Sequence, residues 1–256
     1  MVDNPWFYVA AVPAVLVSAI SKGGFAGGLG ILAVPLMSLV LPPFQVAGIM
    51  LPILCLMDVV GLWAYRRSWD GPSLMILMPA AILGNIVGTV TFTWFNDQAI
   101  KFMVGAIAVV FTLSYWLSKG AQKPPAPRNW VKGAFWGTVS GFTSFVSHVG
   151  GPPINVYLLP LKLNKTVFVG TTVVYFSWVN FTKLPAYYYL GQLSEPNLAT
   201  SLVLSPLAAL GMAAGIWLHG RVNATLFYRI IYSVVFLSGL KLVYDGVSGM
   251  LRHFMG

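Results

Sequence analysis

The sequence has few charged residues: lysine, arginine, aspartate and glutamate together make up 8% of its 256 residues, whereas an ordinary soluble domain has roughly 25%. Hydrophobic residues make up 57% of the chain, which is more than a soluble core can absorb. Apolar stretches near the ~20 residues needed to cross a bilayer recur along nearly the whole length. We therefore predict an all-α polytopic integral membrane protein.

Cysteine and acidic residues are also scarce, and their scarcity excludes several kinds of site. Cys55 is the single cysteine, which excludes an internal disulfide and a cysteine metal cluster. The six acidic residues provide no paired carboxylates at catalytic spacing, and the three histidines are too scattered to form a metal cluster. There is no nucleophile elbow and no phosphate-binding motif. We expect no catalytic residue, no metal and no cofactor, and a membrane enzyme is the least favoured alternative.

The charge balance is strongly basic, with a formal net charge of +9. No basic face with exposed aromatic residues is available for nucleic acid, so we expect no nucleic-acid partner. In a membrane protein, an excess of lysine and arginine usually reports topology. The opening residues lack the basic region and cleavage site of a signal peptide, so we expect the first apolar segment to be retained.

An internal duplication organises the chain, as is common in transporters. Three regions are predicted: an N-terminal membrane repeat (1–118), a basic, proline-rich cytoplasmic linker (119–130) and a C-terminal membrane repeat (131–256). A shift of 127 positions brings residues of the two halves into register: Gly23 and Gly24 with Gly150 and Gly151, Pro79 with Pro206, Gly84 with Gly211, Gly88 with Gly215, and Asn96 with Asn223.

Each half begins with an apolar stretch interrupted by glycines, residues 6–40 and 131–160, and continues with three uninterrupted spans. A stretch of about 35 residues is too long for one crossing and short for two, so a hairpin of two shorter helices with its tip inside the membrane fits best. We predict 8–10 membrane helices, including these re-entrant hairpins. The six uninterrupted spans are predicted at 44–65, 72–94, 99–118, 166–190, 196–218 and 224–244.

The distribution of basic residues favours halves that are inverted relative to one another. If each glycine-broken stretch crossed the membrane only once, the basic residues of the linker would lie on the other face of the membrane from Lys162, Lys165 and Arg221. Hairpins leave Lys101 and Arg252 on the opposite face, and the positive-inside rule then predicts a cytoplasmic linker with both termini outside. In that arrangement one face collects Arg66, Arg67, Lys119, Lys123, Arg128, Lys132, Lys162, Lys165 and Arg221.

The two glycine breaks, at residues 21–30 and 143–153, are the candidate substrate site. A helix that restarts after a glycine pair has N–H groups without intrahelical partners, and its dipole favours negative charge. Corresponding interruptions in two inverted halves indicate a transporter site. The predicted substrate-binding residues are Ser21, Lys22, Gly23, Gly24, Ser147, His148, Gly150, Gly151 and Asn155.

Two interpretations of the polar residues at these breaks stay open. In one, Lys22 and His148 neutralise a bound anion, because a cation inside the membrane needs a counterion or water. In the other, Lys22 snorkels to an interface and His148 is a satisfied interior histidine. The hydroxyl groups that could donate to the anion are those of Ser21, Thr143, Ser144 and Ser147. The pair Gly84 and Gly88 is assigned to helix packing.

Asp58 and Lys183 are charged residues inside otherwise apolar spans. An intramembrane carboxylate can carry a proton for coupled transport, or it can pair structurally with Lys183 or with the Arg66-Arg67 pair. The polar residues of the matching second-half span face the substrate or form hydrogen bonds between helices. They are Thr171, Thr172, Ser177 and Asn180.

The segment Lys22-Gly23-Gly24-Phe25, its counterpart from His148 to Pro153, the chain length and the tandem halves resemble the sulfite exporter TauE/SafE family of bacterial transporters. The resemblance covers essentially the full chain. It implies a multi-pass permease of the bacterial cytoplasmic (inner) membrane that moves sulfite, sulfoacetate or a related sulfur-containing anion, with export as the expected direction. It implies binding of the anion at the two glycine-rich segments. The paired glycine breaks of the two inverted halves in turn predict alternating access around an anion site between the repeats.

The expected partners are therefore a small anion, the lipid bilayer and a coupling ion such as the proton, with no oligomeric state implied. A transporter for small carboxylates and an anion channel remain open alternatives.

Overall fold

The computed structural model describes residues 1–27, 30, 33–91, 97–117 and 123–255, without the side chains of residues 35, 43, 97, 100 and 252–255. Some sequence predictions fall outside this part of the chain. They are the Asn96–Asn223 correspondence, Lys119 and residues 120–122 of the linker, the last residues of the spans 72–94 and 99–118, and the side chain of Arg252.

The described residues form ten α-helices and no β-strand, which confirms the predicted all-α class. Asparagine or aspartate side chains accept a hydrogen bond from the first turn of α1, α4, α6 and α8, so short polar residues between the apolar runs set where these helices begin. The helices are α1 Pro5–Gly24, α2 Ala33–Met37, α3 Pro43–Ala64, α4 Gly71–Val90, α5 Asp97–Leu117, α6 Trp130–Ser147, α7 Gly151–Leu158, α8 Lys165–Tyr189, α9 Glu195–Arg221 and α10 Ala224–Met255.

Five of these helices are long and apolar enough to cross a membrane: α1, α3, α4, α9 and α10. The apolar part of α5, Lys101–Leu117, is shorter. At 25 residues α8 has the length of a crossing helix, and it carries Lys165, Lys183 and several amide and hydroxyl groups. The chain is therefore an integral membrane protein with several spanning helices.

One helix is longer than its pattern predicts: α10 continues to Met255, past the expected end at residue 244. The sequence there contains Gly246 and Gly249, which usually weaken a helix. Both glycines lie against α5, where a Cβ on Gly246 would come 2.6 Å from the amide nitrogen of Phe102, and one on Gly249 would come 2.7 Å from the Gln98 side chain. These glycines allow close packing of α10 on α5 and do not end the helix.

The major helix contacts come in pairs that the predicted shift of 127 positions relates to each other. The shift of 127 positions relates α1 to α6, α3 to α8, α4 to α9 and α5 to α10. The helix α1 packs on α9 and α6 packs on α4; likewise α3 packs on α9 and α8 packs on α4. The remaining large contacts, α3 with α8 and α5 with α10, join a helix to its own counterpart. Each major contact of one half therefore has an equivalent in the other.

The chain has two faces, which we call the linker face and the terminal face. On the linker face, Arg128 bonds Asp70 before α4, and the Ala126 amide donates to Pro160 O at 2.9 Å. Since Ala126 precedes α6 and Pro160 follows α7, the start of α6 and the end of α7 lie close together at this face. On the terminal face, the Val2 amide donates to Thr200 Oγ1, close to the start of α9.

Candidate functional site

A partly open cavity of about 60 Å³ lies between the ends of α1 and α6 and the middles of α3 and α8. This volume holds a few water molecules or one compact anion. Its wall combines one ammonium group, hydroxyls, an imidazole and an amide with apolar side chains. The lining residues are Ser18, Lys22, Ala26, Gly27, Gly30, Met50, Leu54, Ser144, His148, Gly151, Thr172, Val173, Phe176 and Asn180.

Lys22 reaches this cavity from the last turn of α1 and is paired with a carboxylate. Its Nζ lies 2.8 Å from Asp58 Oδ1 and 3.3 Å from Leu54 O, both on α3. Lys22 is 7% exposed and Asp58 is 0% exposed. Charges that are buried this deeply are found paired, because an isolated ion in a low-dielectric interior is strongly disfavoured. Asp58 therefore pairs with Lys22, and neither Lys183 nor the Arg66-Arg67 pair is its direct partner.

Lys183 continues this network on the other side of Asp58. Asn180 Nδ2 donates to Asp58 Oδ2 at 2.7 Å, and Lys183 Nζ donates to Asn180 Oδ1 at 3.3 Å. Lys183 also donates to Ser144 O at 2.7 Å and Ser144 Oγ at 2.9 Å, at the end of α6. We call Lys22, Asp58, Asn180, Lys183 and Ser144 the central polar chain. It links α1, α3, α8 and α6 through groups that have almost no access to solvent.

His148 extends the central polar chain towards α3. Its Nε2 lies 3.2 Å from Ala47 O, and its Nδ1 lies 3.4 Å from Lys183 Nζ. A carbonyl oxygen can only accept, so Nε2 carries the proton, and Nδ1 faces the ammonium group with its lone pair. These partners fit a neutral imidazole at His148, with its Nδ1 lone pair directed at the amino group of Lys183.

Both helix breaks hold a residue in the left-handed backbone region. His148 ends α6 with φ 53° and Ala26 follows α1 with φ 57°. Non-glycine residues adopt this region at a cost of about 1–2 kcal/mol. Such conformations persist where the surrounding structure holds them, and they cluster at functional sites. Ala26 and His148 both line the cavity, so the two unusual backbone positions meet at the same place.

The glycines of the first break let α1 approach α9 closely. A Cβ on Gly23 would lie 2.6 Å from Met212 O, and one on Gly24 would clash with Gly215 O. α1 also ends at Gly24, so these glycines serve helix packing at the position where the helix stops. Gly84 packs in the same manner against the backbone of Thr138, which confirms its assignment to packing.

The glycines of the second break differ from each other. A Cβ on Gly150 would lie 2.8 Å from Ser140 O, whereas one on Gly151 would have no neighbour within 4 Å. Gly151 begins α7 and lines the cavity, and Pro152 and Pro153 follow it. Since proline has no N–H, Gly151 offers the single backbone donor among the first three residues of α7. The restart before α2 falls at residues 28, 29, 31 and 32, outside the described residues.

The predicted site residues therefore fall into two groups. Lys22, His148 and Gly151 line the cavity, as do Ser144, Thr172 and Asn180, which the sequence left open. The others are buried close to it without lining it; within the described residues, the Oδ1 atom of Asn155 has no hydrogen-bond partner. This second group consists of Ser21, Gly23, Gly24, Ser147, Gly150 and Asn155.

Ser18 is a lining residue that the sequence reading missed. It lies one helical turn before Lys22, so the two side chains share a face of α1. Its Oγ is buried without a hydrogen-bond partner among the described residues. The sequence did contain a signal for Ser18: it lies four residues before Lys22, and this (i, i+4) spacing brings both polar side chains to the same cavity.

Side chains from other helices pack around the end of α1 at the linker face. Tyr65 Oη donates to Gly23 O at 2.6 Å, and His219 Nδ1 lies 3.1 Å from Gly24 O. Phe25 stacks on Phe227 at a centroid distance of 6.2 Å. These groups join the end of α1 to the ends of α3 and α9 and to the start of α10.

No group of three or more histidine, cysteine, aspartate or glutamate side chains in the described part of the chain could hold a metal ion. The family model described as "Sulfite exporter TauE/SafE" matches residues 11–242, which is nearly the whole chain. No curated protein and no solved structure matches the chain significantly.

Proposed function

Because the chain belongs to the sulfite exporter TauE/SafE family, we propose that it exports small sulfur-containing anions, sulfite or an organosulfonate such as sulfoacetate, across the bacterial cytoplasmic membrane. The observation that carries this proposal is the cavity with the buried Lys22 side chain in its wall. A cationic group inside a membrane protein is expensive, and such groups mark ion and substrate pathways.

The cavity offers donors that can replace the hydration of an oxyanion. Lys22 Nζ supplies the charge. The hydroxyl of Ser18, which has no hydrogen-bond partner among the described residues, lies on the same helix face. The amide of Gly151 is a further donor in the wall, whereas the hydroxyl of Thr172 already donates to Val169 O at 2.8 Å. Hydrogen bonds from charged donors to oxyanions are about twice as strong as neutral ones. The remaining predicted residues, such as Gly23, Gly24 and Gly150, would act by fixing the conformation and the close packing of the backbone around the site.

The size of the cavity favours a compact head group. About 60 Å³ suits sulfite or a single sulfonate group. A longer organosulfonate would need the cavity to open beyond the state described here. Small carboxylates have similar volume but a planar head group with fewer oxygens, and competition separates the two classes.

We propose that residues 1–118 and 131–256 are inverted repeats joined by a cytoplasmic linker at 119–130. The exchange of packing partners between the halves supports the duplication. The hairpin α6–α7 opens at the linker face, whereas α1 begins at the terminal face beside Val2 and Thr200, which supports inversion. Alternating access would rock the repeats about α3 and α8, which carry Asp58 and Lys183.

The orientation follows from the basic residues. The described linker-face residues include Arg66, Arg67, Lys123, Arg128 and Lys165. Lys101 near the start of α5 and Lys241 in the second half of α10 lie towards the terminal face. The positive-inside rule supports a cytoplasmic linker and external termini. The side chains Tyr65, His219 and Phe227 would then form the cytoplasmic closure of the pathway in this state.

The experiment that tests the function is flux of labelled sulfite and simple sulfonates in proteoliposomes. We expect saturable flux, weak competition by acetate and chemically unchanged substrate. The Lys22→Ala variant should lose most of the flux. Lys241→Ala, which removes an exposed lysine paired with Asp245, is the matched control and should retain it.

Each other outcome has a defined meaning. Flux that does not saturate indicates a channel, strong competition by acetate indicates a carboxylate transporter, and a changed product indicates an enzyme. Absence of flux for every sulfur oxyanion, in protein that unfolds cooperatively, rejects the proposed substrate class.

A further inference from the structure

We propose that Asp58 takes up one proton when the site binds a dianion and none when it binds a monoanion of the same size, so that the protein cotransports a proton with dianionic substrates. This inference rests on the proposed function. It follows from the number and position of the charges in the central polar chain.

The charges that face Asp58 come from two helices. α1 contributes Lys22, whose Nζ is 2.8 Å from Asp58 Oδ1, and α8 contributes Asn180, which bridges to Lys183. On α3 itself, Cys55 lies one turn before Asp58. The helix α2 has no titratable side chain. α9, which also packs on α3, carries its titratable groups near its ends, at Glu195, His219 and Arg221.

We count Lys183 as an ammonium group because its Nζ is surrounded by acceptors. They are Ser144 O, Ser144 Oγ, Asn180 Oδ1 and His148 Nδ1. The neutral His148 adds no charge. The side chains of the site therefore comprise two cations, Lys22 and Lys183, and one anion, Asp58, which leaves one net positive charge.

This surplus matches one negative charge on the substrate. A monoanion brings the site to neutrality with Asp58 ionised. A dianion leaves one net negative charge in a cavity of low dielectric, where uncompensated charge is strongly disfavoured and a carboxyl group protonates instead. A single proton on Asp58 restores neutrality.

Asp58 is placed to make this response because it shares its counterion with the substrate. Lys22 lines the cavity, whereas Asp58 lies behind it with no exposed surface. An anion that draws Lys22 Nζ towards itself weakens the pair with Asp58 Oδ1. Asp58 Oδ1 takes up a proton from the side of the membrane where the anion enters and releases it on the side where the anion leaves. No other covalent bond changes.

The test compares two anions that differ in charge and hardly in shape. Thiosulfate is a dianion and methanesulfonate a monoanion at neutral pH, and both are tetrahedral with the same number of non-hydrogen atoms. Each is supplied in labelled form to proteoliposomes at zero membrane potential with an imposed pH gradient. We expect thiosulfate to accumulate about tenfold for each pH unit of gradient, and methanesulfonate not to respond.

The Asp58→Asn variant removes the proton site and keeps the size of the side chain. We expect it to move thiosulfate without any response to the pH gradient. Asp245→Asn is the matched control, because Asp245 also pairs with a lysine but lies outside the cavity, and it should behave as the wild type. Should Asp58→Asn not fold, the wild-type comparison of the two anions decides.

Equal responses of thiosulfate and methanesulfonate to the pH gradient in the wild type overturn the inference and leave the proposed transport function intact. Absence of flux for these anions and for sulfite rejects the proposed function itself, and the inference falls with it.

Discussion

Lys22 on α1 and Asp58 on α3 form an ion pair of 2.8 Å in which the carboxylate has no exposed surface. The pair lies at the wall of the cavity, so the cation that would attract a substrate is already held by a fixed carboxylate. Binding of an anion is therefore a competition for Lys22, and stability and transport should respond differently to changes at these two residues.

Removing one partner of this pair should destabilise the fold, whereas removing both should not. We expect Lys22→Met to lower the free energy of unfolding by about 3–5 kcal/mol, since it leaves a buried unpaired carboxylate. The double variant Lys22→Met with Asp58→Leu should recover most of that loss, and both should lack anion flux. Thermal unfolding in detergent and proteoliposome flux check this. Flux restored in the double variant would contradict the role of Lys22.

The two glycine breaks should respond differently to alanine. Gly24→Ala places a methyl group against Gly215 O, so we expect it to destabilise the α1–α9 contact by about 1–3 kcal/mol. Gly151→Ala has open space around its Cβ, so the protein should keep its stability and lose anion affinity because the cavity is narrower. Unfolding midpoints and the substrate concentration at half-maximal flux separate the two effects. Equal stability losses in both variants would refute this distinction.

The linker should be held to the membrane domain by Asp70 in a pH-dependent manner. Burial raises the pKa of Asp70, but hydrogen bonds from Arg128 and Ser73 outweigh it and hold the pKa below its ordinary value. A lowered pKa in the folded state stabilises the protein above about pH 4, and that contribution disappears as the pH falls through the folded-state pKa.

Since Arg128 is partly exposed, its pair with Asp70 should contribute about 1 kcal/mol or less. We expect Arg128→Gln to lower the unfolding midpoint at pH 7 and to match the wild type at pH values below the ordinary aspartate range. Arg66→Gln, on the same face, is the control and should show no such pH dependence. A difference between Arg128→Gln and the wild type that persists in acid would contradict the assignment.

The orientation can be read with single cysteines, because Cys55 is the one native cysteine. In a Cys55→Ala background, we expect Lys123→Cys to react with an impermeant maleimide only after the cells are opened. Asp3→Cys, on the terminal face, should react in intact cells. The reverse pattern would place the linker outside and would contradict the positive-inside assignment.

The helices could be predicted because their causes are local. Apolar runs of bilayer length, with asparagine, aspartate, proline and glycine between them, set the ends of α3, α4, α8 and α9 to within a few residues of the prediction. The predicted end of α10 is too early: the helix continues through Gly246 and Gly249, which weaken a helix in isolation but permit close contact with α5. Local propensity could not report that contact.

The sequence by itself determined that the chain is an integral membrane protein, where most of its long helices lie, and that Lys22, His148 and the glycine breaks are unusual for a membrane interior. Only the tertiary structure decided the partners: Asp58 pairs with Lys22, Lys183 bonds Ser144, and Ser18 joins the cavity. The physical reason is that hydrophobicity and backbone propensity act over a few residues. A buried charge takes its partner from whichever helix packs beside it, and that depends on how α1, α3, α6 and α8 meet.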